Sequence, residues 1–201
     1  VHMSLKLNRS DFGNPINTGS VLTPEAAHRL LQDWVLNERL RLHMRQVGHL
    51  MKCWAREQEQ LDEAAQWKWE MAGLLHDADW DQWPQEHCRK IVEELESRQI
   101  DPEVIRAIAS HGPAHFGVDP VTRMDHMLYV FDELSGLIHA YSLMRPGGYE
   151  GMDLKGVQKR FREKTFAAGV NREEVLDALQ RASVGFETIA SFIIQHQAVV
   201  K

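Results

Sequence analysis

No stretch of this sequence alternates apolar and polar residues as a half-buried strand would, and helix starts instead follow one another along the chain. Thr23-Pro24-Glu25 pairs an N-cap residue with proline at the first helical position, where its missing N–H costs nothing. Asp101-Pro102-Glu103 and Asp119-Pro120 repeat the device, and Asn171-Arg172-Glu173-Glu174 reads as a capping box. Helices are expected over 24–37, 39–59, 63–75, 85–98, 102–110, 120–144, 154–162, 172–182 and 184–198, punctuated by Pro84, Pro113 and Pro146-Gly147-Gly148. Residues 1–22 read as an irregular leader, with Val1-His2 ahead of Met3 resembling a cloning remnant. Residues 23–201 read as a single compact all-α domain, its part after Gly148 a C-terminal helical extension.

Charge narrows the partners. A formal net charge of -6 argues against a general grip on nucleic acid or anionic membrane, which needs clustered positive charge. It leaves room for a small phosphorylated molecule. No apolar run is long enough to cross a membrane and no signal peptide opens the chain, so the cytoplasm is the expected location. Cys53 and Cys88 belong to no CxxC or zinc-finger spacing and read as free thiols. The oligomeric state is open, a dimer among the options.

The 11 histidines turn attention to metal chemistry. Leu74-Leu75-His76-Asp77 closes a helix with Trp67, Met71, Leu74 and Leu75 on its apolar positions. Burying an adjacent His and Asp is costly unless both are satisfied, and a divalent metal satisfies both at once. His43 shares an inward helix stripe with Val47, Leu50, Met51 and Trp54. Asp132 lies mid-helix, where Asp is a poor helix former, beside Leu128, Phe131, Leu134 and Ile138, and Ser135 and Gly136 follow it. His49 falls off the His43 stripe and reads as a surface residue.

In order, spacing and helical context, His43, His76, Asp77 and Asp132 resemble the HD superfamily of metal-dependent phosphohydrolases. The segments Ala72 to Asp77, Phe131 to Ile138 and Phe161 to Arg172 look like the small stand-alone HD/HDIG-type members. One departure stands out: Ala78-Asp79 occupy the Ile-Gly positions of the HDIG motif, which leaves the ligands intact. The resemblance implies an all-α HD fold holding one or two divalent ions, drawn from Mn, Fe, Co, Ni or Zn. It adds His87 and His111 as second-metal ligands, with His115 competing for the latter place, and makes Asp77 the bridge. It also implies attack of metal-activated water on a small phosphorylated substrate, a nucleotide first among the guesses. The alternatives are a di-iron oxygenase of the same fold and a non-catalytic HD ligand-binding module.

Catalytic roles are expected of Asp77 and, for proton transfer, of Asp79 or Asp81. A basic cluster including Arg160 and Lys164, with Arg145 nearby, reads either as a solvated helix face or as a phosphate-binding rim. Trp80 and Trp83 are candidates to line a substrate pocket.

Overall fold

A computed structural model describes residues 6–9, 11–12 and 19–201. Among these residues there are ten α-helices and no strand longer than an isolated bridge, Ser20 to Ile100. The Val1-His2 reading and part of the expected leader lie outside the described residues.

The helices are α1 (Pro24–Trp34), α2 (Glu38–Glu57), α3 (Glu63–Leu75), α4 (Arg89–Ser97), α5 (Pro102–Ala109), α6 (Pro113–Phe116), α7 (Arg123–Met144), α8 (Leu154–Arg162), α9 (Arg172–Ala182) and α10 (Phe186–Gln197). A 3-10 turn, Pro84–Glu86, precedes α4. The caps follow the sequence: the side chains of Thr23, Asn37, Asp62, Asp101, Asp153 and Asn171 each accept a backbone N–H of the first helical turn.

Several expected helix features need correction, beginning with the helix expected over 85–98, which opens only at Arg89 after the 3-10 turn. The long helix does not open at Asp119-Pro120. Thr122 caps it, in a reciprocal box with the fully buried Asp125, whose carboxylate also accepts the Val121 N–H and pairs with Arg106 at 2.9 Å. Asn171 caps α9, but its own N–H goes to Glu133 rather than back to Glu174, so that capping box is only half made.

The centre of the fold is the crossing of α2 and α3. Gly48 and Gly73 meet there so closely that a Cβ on Gly73 would lie 2.8 Å from the Gly48 backbone. That approach seats Val47, Leu50, Met51, Met71, Leu74 and Leu75 in one core, all 2% exposed or less. Helix α7 runs across this pair and also touches α5, α8, α9 and α10. His43 precedes the crossing by about a turn and His76 follows it, so two glycines place both imidazoles at one end of the α2–α3 pair.

Candidate metal centre

His43 from α2, His76 and Asp77 from the end of α3, and Asp132 from mid-α7 converge, their ligand atoms within 4.8 Å of one another. A second group, Asp77, His87 and His111, meets the same limit and shares Asp77 with the first. The two oxygens of Asp77 divide between the groups. Oδ2 lies 3.7 Å from His76 Nε2, while Oδ1 lies 3.2 Å from His87 Nε2 and 3.4 Å from His111 Nε2. Asp132 Oδ1 lies 3.0 Å from His43 Nε2 and 3.3 Å from His76 Nε2.

These separations match the edges of a coordination polyhedron with bonds of about 2.0–2.2 Å to nitrogen and oxygen. The donor set passes a sharper test in its tautomers. His76 Nδ1 donates to the Gly73 carbonyl at 2.7 Å and His111 Nδ1 to the Ile108 carbonyl at 2.5 Å, each completing a helix end. His87 Nδ1 faces Asp79 at 2.5 Å. With Nδ1 carrying the proton, each Nε2 turns a lone pair toward carboxylate oxygen, and only a cation or a second proton reconciles them. His76 Nε2 makes the case strongest: it is fully buried and has no aligned hydrogen-bond partner. The residues therefore fit a divalent ion.

Electrostatics agree. Burial by itself would push His76 down, but the Asp77 charge and the contact with Asp132 outweigh it and hold the group up at about 9. His87 is treated likewise by burial against Asp77 and Asp79, and rises to about 10. Asp77 and Asp132 stay well below the usual carboxylate range despite burial, because imidazoles surround them. Without metal the cluster binds protons where a cation belongs, so metal and proton compete for the same lone pairs.

The centre floors a cavity of about 510 Å³. Trp80 and Phe116 supply its aromatic walls, each meeting the His87 ring edge-on at 5.2 Å and 5.0 Å. Gly136 leaves open space on α7, since a Cβ there would meet nothing within 4 Å. Glu133, which the sequence reading passed over, lines the cavity beside Asp132, and burial together with the Asp132 charge raises its carboxyl to about 8. His115 also faces the cavity but bonds Glu174 at 2.7 Å, so His111 rather than His115 stands beside Asp77.

Several expected roles do not survive the geometry. Asp79 is fully buried and spends its oxygens on His87 Nδ1 and the Ile91 N–H, so it orients His87 and is not among the residues that face the cavity. Asp81 accepts the Leu36 and Asn37 N–H groups at 2.7 and 2.9 Å, a structural tie at the start of α2. Arg145 bonds the Gly148 carbonyl, Arg160 pairs with Glu163 over the Tyr141 and Phe166 rings, and Lys164 is exposed; none of them lines the cavity. Trp83 packs on Trp34 instead of the cavity. His49 is half-buried against Cys53, not a surface residue.

Arg172 explains the Phe161–Arg172 segment. Its guanidinium donates to the carbonyls of Phe161, Glu163, Phe166, Ala167 and Val170. The caged loop presents Gly169 and Val170 to the cavity rim.

Among known families, the model described as HD domain matches residues 41–137, a span that contains all six clustered His and Asp residues. No curated protein and no solved structure matches the chain.

Proposed function

We propose that this chain, whose residues 41–137 belong to the HD domain family of metal-dependent hydrolases, is a phosphohydrolase acting on a small phosphorylated molecule, a nucleotide first among the candidates. The observation that carries the reading is the pair of ligand groups sharing Asp77, with the buried Nε2 of His76 left without a hydrogen-bond partner. His43, His76, Asp77 and Asp132 would hold one ion, and Asp77, His87 and His111 a second. A bound divalent ion supplies an acidified water, with a pKa towards about 7, and offsets charge on phosphoryl oxygens.

The chain's own residues do the rest. Gly73, Ile108 and Asp79 fix three imidazoles in the tautomer that presents Nε2. Trp80 and Phe116 give an apolar face of the size a nucleobase or similar ring needs, and the cavity falls within the usual range for a small-molecule site. No Lys or Arg is among the described residues lining it, so charge on the phosphoryl group is left to the metal centre and its histidines. Proton handling, expected of Asp79 or Asp81, passes to groups that face the cavity: Glu133 and the His115–Glu174 pair.

The test is phosphate release from a panel of nucleotides and sugar phosphates, run with each first-row divalent metal on wild type and Asp77→Ala. Activity that chelation abolishes, that added metal restores and that the variant lacks is the expected result. Equal rates for the two proteins with every metal would overturn the proposal.

A further inference from the structure

A separate group of metal-type side chains lies between α2 and α10 and shares no residue with the HD centre. Cys53 Sγ, a Glu57 oxygen and a His196 imidazole nitrogen lie within 4.8 Å of one another. His196 Nε2 is 3.1 Å from Glu57 Oε2, yet it is buried and makes no hydrogen bond. His49 Nε2 lies 3.4 Å from Cys53 Sγ but outside the mutual reach of the three, so it flanks the thiol rather than joining the group. His49, Cys53 and Glu57 follow one another at i, i+4 and i+8 on α2, the spacing that lines side chains along one helix face. His196 closes the group from α10, its ring against Phe192 at 4.2 Å between centroids.

We propose that Cys53, Glu57 and His196 form a separate metal site, of the zinc type, that clamps α10 to α2, with solvent completing the ion's coordination. The Glu57–His196 pair, at 3.1 Å, is close to the edge of a zinc tetrahedron with bonds of about 2.0–2.3 Å, and all three donors lie within 4.8 Å of one another. A thiolate with imidazole and carboxylate selects zinc, cobalt or a similar ion over magnesium or calcium. Arg56 now supplies the local positive charge, with Nη2 at 2.5 Å from Glu57 and 3.8 Å from Cys53 Sγ. Its side chain is 52% exposed and can swing out to water as a cation enters by the Glu57 edge. Binding forms a sulfur–metal bond and releases the Cys53 thiol proton to solvent; no electron changes hands.

The clamp has structural work to do. Gln197, beside His196, reaches the Gln46 side chain, the Ser135 carbonyl and the Tyr149 hydroxyl, at 3.2, 3.1 and 2.8 Å. Those groups sit on or beside the helices that carry His43 and Asp132. Fastening α10 therefore steadies the back of the HD centre.

The experiment is a cobalt(II) titration of the chelator-stripped full chain, read at the near-ultraviolet thiolate-to-cobalt charge-transfer band. The HD centre offers only nitrogen and oxygen donors and cannot give this band. Wild type and Cys88→Ser should show it, Cys53→Ser should lack it, His196→Gln should lose or weaken it, and zinc should displace it. In wild type, zinc should also slow amide exchange in α10. No band in wild type, a band that survives Cys53→Ser, or α10 exchange unchanged by zinc would overturn the proposal. The wild-type spectrum is read without any variant, so a misfolded Cys53→Ser does not rescue it.

Discussion

His43, His76 and Asp132 stand on the bodies or ends of long helices, whereas His87 and His111 stand on the turns beside the short helices α4 and α5. In the first group, helix periodicity and the Gly48–Gly73 crossing set the positions, and a single hydrogen bond to Gly73 finishes the orientation of His76. In the second, the turn does not fix the imidazole of His87, and a buried carboxylate, Asp79, has to hold it. The difference teaches where each half is vulnerable. His76 and His111 depend on the helix ends whose carbonyls they bond, whereas His87 depends on the Asp79 side chain that orients it.

Asp77 belongs to both halves, so the largest effect is expected there. Asp77→Ala should abolish divalent binding at both groups and reduce phosphate release to background, as measured by elemental analysis and turnover. Retention of one tightly bound ion by that variant would show that the halves do not share the residue. Asp79→Asn should separate them: metal affinity at the His87–His111 group falls about 10–100-fold, while the His43–His76–Asp132 group keeps its ion. Calorimetric titration resolves the two sites, and an equal loss at both would erase the distinction.

Gly73→Ala probes the helix-borne half. The added Cβ meets Gly48 backbone at 2.8 Å, where nothing flexible can yield. Overpacking of this kind costs about 1–3 kcal/mol. Denaturant unfolding should show that loss, together with weaker metal binding at the His43–His76 side first.

The smallest effect concerns pH. In chelator-treated protein His76 and His87 are raised to about 9 and about 10, from about 6.5 in an unfolded chain. A group raised on folding contributes stability below its unfolded pKa and loses it as pH climbs through the folded value. The metal-free melting temperature should therefore fall between neutral pH and pH about 10. Metal-loaded protein should resist the fall, because its imidazoles are already deprotonated. A melting temperature that rises over that window in the metal-free form would contradict the electrostatic account.

Sequence alone determined the helical character, since caps, prolines and apolar spacing are local and the structure obeys most of them. It also offered His43, His76, Asp77 and Asp132 as candidates through their types, order and helical context, whereas His87 and His111 came only with the family resemblance, which left His115 open beside His111. Roles that depend on direction were hidden from it. Asp79, Asp81 and Glu133 are all acidic residues close in sequence to a ligand, yet one props a histidine, one ties down a helix start and one faces the cavity. The basic residues near 160 turn away from the cavity for the same reason. Cys53 and Glu57 sit apart in sequence from His196, so their meeting depends on how α10 lies across α2. A side chain's identity is written locally, but which group it faces is set by the packing of helices distant in the chain, and chemistry at a site depends on what faces what.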